Sequence, residues 1–235
     1  MEHAENCDAK ERILSAASQL FSQKGFDAAS VSEIAKTANV TKALIYYYFK
    51  SKEEILDQLV QAFMDNATSL VLDFIHANIV QMIKDGSLDI EPDRLRFTDE
   101  REIRRFLENV KLFYERLMDY ALQQRAIIRI LMLESLKSSK HQGDLFRLLE
   151  LTTGDEENPI FRTISEADQD FNYSEDMVVY EFFFSIIPLV NFAAYYDDYK
   201  EISSLSDGEL RGAFLRSFQT SLESMVCDNS ILLRN

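Results

Sequence analysis

The stretch AASVSEIAKTANVTKALIYYYFKSKEE, residues 28–54, contains the start and stop signals of two short helices. Ser30 and Glu33 form a capping box, in which each side chain binds a backbone amide of the other residue. The box predicts a helix over residues 31–38, and the apolar residues within it recur at helical spacing on one inner face.

The second half of the stretch predicts a tight turn and another helix. Asn39 stands in the turn, where one residue must adopt the left-handed conformation that Asn tolerates well. Thr41 caps the next helix, which we expect over residues 42–48, with Ile45 and Phe49 one turn apart on its inner side. Two helices joined in this way have the form of a helix-turn-helix, whose second helix enters the major groove of DNA.

The outer surface of the second helix carries residues suited to contact with DNA. Tyr46, Tyr47 and Tyr48 are consecutive. Successive helix residues diverge by about 100°, so at least one of these side chains must project to solvent. Exposed phenol groups beside Lys42 can hydrogen-bond phosphates and pack on thymine methyl groups.

The rest of the chain is also predicted to be helical. Only 6 Gly and 3 Pro occur among 235 residues, whereas a β-rich fold needs many of both for its turns. Gly25 ends a first helix over residues 8–24, and the later elements follow from apolar periodicity and from breaks at Gly and Pro. These are a helix from Ser51 toward residue 80, a loop over 84–97, a long helix over about 99–138, a short helix with loops over 139–160, and helices over about 175–200 and 207–226.

The charges are unevenly distributed along the chain. The net charge is −15, yet residues 1–52 hold seven Lys and Arg against six Asp and Glu, which gives +1. The remaining 18 basic and 34 acidic residues give −16 for residues 53–235. DNA phosphates attract Lys and Arg and repel an acidic surface, so we expect only the N-terminal part to face DNA.

Residues 28–35 and 41–54 resemble the TetR/AcrR family of transcriptional regulators, and the resemblance covers roughly residues 10–60. It implies an all-α fold with a three-helix helix-turn-helix DNA-binding domain over residues 1–52 and a helical effector-binding and dimerisation domain over residues 53–235. It also implies a homodimer that binds double-stranded operator DNA, is released by a small-molecule effector, and is not an enzyme.

The resemblance also implies roles for individual residues. Bases would be read by Lys42, Ala43, Leu44 and Tyr46. Phosphates would be held by Ser30, Ser32, Thr41, Tyr47, Tyr48 and Lys52.

The chain departs from the family pattern at four positions. Asn39 replaces the usual glycine of the turn, and Ala43 replaces a frequent glycine of the recognition helix. Tyr48 stands where a histidine is usual. Leu44 replaces a small or polar residue and offers only apolar contact, so we expect it to favour a thymine methyl.

Candidate effector and dimer residues follow from the family's use of its later helices. Aromatic and polar residues of the middle helices would line an effector pocket: Phe113, Tyr114, Met118, Phe183, Asn191 and Tyr195. Large apolar residues of the last two helices would form the dimer interface: Phe182, Ile186, Val190, Phe214, Phe218 and Leu222. The alternative for every one of these residues is ordinary core packing.

Other site types lack support in the sequence. The histidines His3, His76 and His141 are scattered, and Cys7 and Cys227 have no neighbouring ligand at metal spacing, so we expect no cofactor, no metal and two unpaired thiols. The charged N-terminus predicts no signal peptide, and the longest apolar run, 182–196, is short for a membrane span, so we expect a cytoplasmic protein.

Two further functions stay open on the sequence alone. A DNA-binding structural factor would need no effector, and a helical interaction module would need no DNA. The Arg-rich segment from Arg94 to Arg105 could bind an anion, although pairing with its Asp and Glu neighbours is the simpler interpretation.

Overall fold

The computed structural model describes residues 2–91 and 94–227, with side chains for residues 9–90 and 95–223. In chain order the elements are α1 (Glu2–Lys24), α2 (Val31–Thr37), α3 (Lys42–Tyr48), α4 (Lys52–Phe74), α5 (Val80–Lys84), β1 (Leu88–Glu91), β2 (Arg94–Phe97), α6 (Glu100–Gln123), α7 (Arg125–Ser135), α8 (Pro159–Ser165), α9 (Glu175–Tyr180), α10 (Ile187–Ala194), α11 (Tyr196–Ser203) and α12 (Asp207–Cys227). π-Helical turns over Ile75–Ile79 and Glu181–Ile186 join α4 to α5 and α9 to α10, and a 3-10 helix spans Asp144–Leu151. The prediction of a helical fold is confirmed.

The chain divides into two compact units. Unit 1 comprises residues 1–66 and 123–145, and unit 2 comprises residues 67–122 and 146–235. This grouping differs from the sequence-based division after residue 52, because α7 joins the N-terminal helices although it lies far from them in the chain.

Unit 1 comprises α1, α2, α3 and the first part of α4, with α7 packed against α1. Phe21, Ile34 and Phe49 are fully buried, and α7 contributes the buried Ile128 and Leu131. Burial of a side chain of this size stabilises the fold by about 1.5–3 kcal/mol. The helix-turn-helix therefore rests on a core completed by a helix more than seventy residues away.

The long helix predicted over about 99–138 is broken in the structure. Gln124 leaves the helical conformation (φ −97°, ψ 13°), and α6 and α7 fall into different units. Neither Gly nor Pro marks this position. The break allows α7 to pack against α1, and no local sequence signal marks it.

The loop predicted over residues 84–97 contains an antiparallel hairpin, so that prediction was wrong there. β1 pairs with β2 so that Leu88 lies opposite Phe97. Leu88 is buried together with Met82 and Phe106. Apolar and polar residues alternate on both strands, which is a hairpin signal that the loop interpretation overlooked. The two residues between the strands lie outside the described ones.

The helix predicted over residues 175–200 comprises α9, a π-helical turn, α10 and α11. Tyr195 leaves the helical conformation between α10 and α11 (φ −104°, ψ 11°). The helical stretch Glu175–Ala194 is long and apolar enough to cross a membrane by length and composition, with 39% of its most apolar window buried in the protein. A core helix of a globular protein passes the same test, so this is weak evidence for a span.

Candidate nucleic-acid interface

The turn between α2 and α3 has the predicted geometry. Asn39 adopts the left-handed conformation with φ 53°. The backbone amide of Val40 then donates to the carbonyl of Ala35 at 3.0 Å. Thr41 caps α3, since its Oγ1 accepts a hydrogen bond from the amide of Leu44 at 3.2 Å. The turn thus fixes the direction in which α3 leaves α2.

The two sides of α3 differ as expected for a recognition helix. Ile45 and the following Phe49 are buried and attach the helix to unit 1. On the other side Tyr46 is 51% exposed and Tyr47 is 74% exposed. The ammonium of Lys42 lies 6.0 Å from the Tyr46 ring centroid, within the range of a cation–π contact.

The remaining members of the DNA-contact set are divided between exposed and half-buried positions. Leu44 and Tyr48 are half-buried. The Tyr48 ring meets the Tyr47 ring edge-on with centroids 5.1 Å apart, and this contact stabilises the orientation of both side chains. The exposed members are Ser30, Ser32, Thr41, Lys42, Ala43, Tyr46 and Tyr47.

The capping box at the start of α2 is present. The Ser30 amide and hydroxyl donate to the Glu33 carboxylate at 2.9 and 2.7 Å, and the Glu33 amide donates to Ser30 Oγ at 3.3 Å. Lys24 donates to the same carboxylate at 2.5 Å. The bonds from Lys24 and then Ser30 lower the pKa of Glu33 to about 2. The Ser30 hydroxyl hydrogen is used within the box. The donors of α2 that remain available to a phosphate are therefore its free backbone amides.

Lys52 is placed differently from the expectation that it grips phosphate. Its ammonium donates to the carbonyls of Phe26 at 2.8 Å and Ala29 at 3.0 Å, with the Asp27 carbonyl 3.4 Å away. It also lies 4.3 Å from the Phe26 ring centroid. An ammonium group has three hydrogens to donate, and these carbonyls use them. Lys52 therefore holds the loop between α1 and α2 in this structure, and its assignment as a phosphate contact stays a prediction.

The segment after α7 braces the same loop, a feature that sequence reasoning missed. Buried Glu134 accepts from Lys137 at 2.6 Å, and Lys137 also donates to Asp27 at 3.1 Å. Buried His141 packs edge-on against Phe26 with ring centroids 5.1 Å apart. Partners separated by more than one hundred residues leave no periodic signal in the sequence. The loop that leads into α2 is thus held from two directions.

The comparisons with known proteins agree with this geometry. The family model described as bacterial regulatory proteins, tetR family, matches residues 13–59. The HTH-type transcriptional regulator YttP of Bacillus subtilis is 32% identical over 139 residues, which cover 56% of this chain and 67% of that protein. The chain belongs to the TetR family.

Other TetR-family relatives match a shorter part of the chain. The negative transcriptional regulator IcaR of the Staphylococcus aureus biofilm operon icaADBC is 38% identical over 63 residues, or 27% of this chain and 34% of that protein. The chain therefore spans about a third of the length of IcaR. TetR-family proteins are DNA-binding transcription regulators, not enzymes, and act as dimers.

Two solved structures share the fold over nearly the whole chain. A fatty acid metabolism regulator from Clostridium perfringens has a TM-score of 0.56 at 18% identity and covers 94% of this chain and 98% of its own. A TetR-family regulator from Mesorhizobium loti has a TM-score of 0.53 at 17% identity and covers 95% and 97%. At these identities the likeness concerns the fold alone.

The residues expected to line an effector pocket differ in their burial. Tyr114 and Met118 of α6 are buried in unit 2, and Phe113 stacks on Phe74 with ring centroids 4.3 Å apart. The other three, Phe183, Asn191 and Tyr195, are exposed. Half of the six candidates thus lie on the surface of the protomer, and their role in effector binding stays a prediction.

The residues expected at the dimer interface lie mostly inside the protomer. Phe182, Val190 and Leu222 are buried, and Ile186 is half-buried. Half-buried Phe214 and Phe218 stack on Tyr114. Core packing, the alternative considered for these residues, accounts for the three buried ones. The large apolar side chains that residues 175–203 do expose are Val179, Phe183, Phe184, Tyr195, Tyr199 and Ile202.

The charged side chains that the structure describes group into neither an anion site nor a metal site. Arg101 pairs with Asp99 at 2.9 Å and Arg105 with Glu102 at 3.0 Å, so both are neutralised by neighbours. Among the described side chains, no three His, Cys, Asp or Glu residues are grouped as a metal would require. The side chains of His3, Cys7, Arg94 and Cys227 lie outside the described ones.

Proposed function

We propose that this TetR-family protein is a homodimeric repressor that binds a two-fold symmetric operator through α3 and leaves it when a small molecule binds unit 2. Because its target is operator DNA, we expect the protein to act in the cytoplasm. Repression is the choice supported by IcaR, a negative regulator with 38% identity over the matched segment.

The observation that carries DNA binding is the contrast between the faces of α3. Lys42, Tyr46 and Tyr47 project to solvent, while Ile45 and Phe49 anchor the helix from behind. Exposed phenols beside an ammonium group gain by contacts with base edges and phosphate. We assign base reading to Lys42, Ala43, Leu44 and Tyr46, and phosphate contacts to Ser32, Tyr47, Tyr48 and the start of α2.

The dimer is supported by the apolar surface of α9 to α11. Phe183 is 56% exposed and Ile202 is 82% exposed, and both belong to the exposed set named above. Large apolar side chains exposed on a protomer favour an interface, and a second copy of the chain is the partner that a two-fold operator requires. We therefore move the dimer assignment from the buried side chains to this exposed set.

The proposal is tested with a fluorescent DNA fragment that carries the upstream region of the protein's own gene. We expect fluorescence anisotropy to show binding that weakens steeply with salt and falls at least tenfold in Lys42→Ala and Tyr46→Ala. Arg104→Ala removes an exposed charge of unit 2 and serves as the control that keeps wild-type affinity. Equal affinity of all four proteins would rule out α3 as the reading helix.

A further inference from the structure

The π-helical turn Glu181–Ile186 carries a half-buried acidic side chain of unit 2. The amide of Ile187 donates to the carbonyl of Phe182, five residues back, so the turn is wider than an α-helical turn. Pro188 follows and has no amide hydrogen to donate to the preceding turn. Turns of this kind occur often at functional sites. Glu181 is the first residue of the turn and is half-buried.

Glu181 has no basic partner among the described side chains. Its carboxylate forms a hydrogen bond with Ser185, one turn later, and no described Lys, Arg or His lies within ion-pair distance of it. Burial raises its pKa to about 6, although the Ser185 bond opposes that shift. An ionised carboxylate in such surroundings gains considerably from a cation brought by a ligand.

The neighbours of Glu181 are tyrosines. Burial, followed by the negative charge of Glu181, raises the pKa of Tyr114, Tyr173 and Tyr180. Two of their hydroxyls have other partners: Tyr114 donates to the Ser185 carbonyl at 2.8 Å, and Tyr180 lies 3.2 Å from Ser221 Oγ. These two hydroxyls therefore leave the carboxylate charge unneutralised.

Further rings extend this aromatic surface. Phe184 stacks near Tyr180 with centroids 6.0 Å apart, and Phe171 meets Tyr173 edge-on at 5.0 Å. The face of an aromatic ring carries partial negative charge and attracts organic cations, most strongly where water is excluded. A carboxylate without a basic partner, set among aromatic rings, combines two features that favour the same kind of ligand.

We propose that unit 2 binds an organic cation with apolar substituents, with Glu181 as its counter-ion and Tyr114, Tyr173 and Tyr180 around it. This proposal rests on the proposed function, since it names the chemical class of the effector. Anionic ligands such as carboxylates are disfavoured at this site because they would face the charge of Glu181.

Two ions of equal size and opposite charge, tetraphenylphosphonium and tetraphenylborate, provide the test, together with the smaller cation benzyltrimethylammonium. Calorimetric titration of the full chain should show binding of at least one cation, weakened tenfold or more in Glu181→Gln. Glu201→Gln, which removes an exposed carboxylate of α11, should bind as the wild type does. Equal binding of the cations by wild type and Glu181→Gln, no cation binding, or preference for tetraphenylborate would each overturn the proposal.

The pH dependence of the wild-type protein provides a second reading that needs no variant. With Glu181 titrating at about 6, cation affinity should fall about tenfold between pH 7 and pH 5, because only the ionised fraction binds. A flat profile contradicts the assignment.

Operator binding measured in parallel separates the two proposals. Intact operator binding without any cation binding overturns only the cation site, whereas cation binding that leaves operator affinity unchanged supports the site and counts against effector release.

Discussion

The Lys52 ammonium donates to the Phe26 carbonyl at 2.8 Å and lies 4.3 Å from the centroid of the Phe26 ring. This contact joins the start of α4 to the loop that leads into α2. The same Phe26 ring meets His141 from the segment after α7. The position of the helix-turn-helix therefore depends on contacts with residues outside it, and we expect Lys52 to affect DNA binding by positioning this loop.

Lys52→Met should lower the free energy of unfolding by about 1–3 kcal/mol, because the loop carbonyls lose a charged donor. Lys42→Ala, which removes an exposed charge of α3, should leave stability nearly unchanged and reduce the slope of log affinity against log salt by about 1. Chemical denaturation and anisotropy over a salt series measure these effects. If Lys52→Met also reduced the salt slope by that amount, Lys52 would contact phosphate in the complex.

Asn39→Ala should destabilise the protein by about 1 kcal/mol, since an L residue other than Asn or Gly strains at positive φ. Asn39→Gly should match or exceed the stability of the wild type, because glycine adopts φ 53° without strain. Thr37→Ala, at an exposed helical position, is the control for loss of a side chain near the turn. Urea unfolding of the three variants measures these differences in stability. An equal effect of Gly and Ala at position 39 would contradict the role of the left-handed conformation there.

The capping box of α2 should make unfolding depend on pH through Glu33. Its pKa is lowered from 4.5 to about 2 in the folded protein by Lys24 and then Ser30. Its stabilising contribution is therefore complete above pH 4.5 and is lost as the pH falls toward about 2. We expect the difference in unfolding free energy between wild type and Glu33→Gln to shrink over that window.

Lys24→Met is the matched comparison for the pH effect. It removes the largest cause of the lowered pKa of Glu33, so the dependence of stability on pH should weaken without disappearing. Denaturation curves at several pH values between 7 and 2.5 would provide the comparison. A difference between wild type and Glu33→Gln that stays constant across this range would contradict the assignment.

The buried carboxylate of Glu134 should make Lys137 important for stability. Lys137→Met leaves Glu134 without its cation, and because Lys137 is partly exposed we expect a cost of about 1–3 kcal/mol. Adding Glu134→Gln should recover a substantial part of that loss, since the uncompensated charge disappears. A double-mutant cycle measures the coupling. Additive effects of the two substitutions would show that the pair does not interact.

Lys140→Met is the control for this cycle. Its ion pair with Asp57, at 3.4 Å, joins two exposed side chains. Exposed pairs contribute at most about 1 kcal/mol. The variant should therefore stay closer to the wild type than Lys137→Met.

Much of unit 1 could be predicted because its signals are local. The box of Ser30 and Glu33, the left-handed Asn39 and the Thr41 cap all connect residues three or four positions apart. The same is true of Ile45 and Phe49, whose spacing predicted their burial. Unit 2 was harder, because an apolar side chain at helical spacing can face the core or a partner equally well. Phe182 and Phe183 are neighbours, yet only Phe182 is buried.

The sequence by itself determined that the protein is helical. It also determined where the recognition helix begins, which residue forms the turn before it and which side of it is exposed, since capping and helical periodicity depend on neighbouring residues. Tertiary structure decided the break at Gln124 that brings α7 to α1, the carbonyl partners of Lys52, and the tyrosines around Glu181. Each of these depends on residues far apart in the chain, and the choice among possible long-range partners is made by packing, which has no period in the sequence.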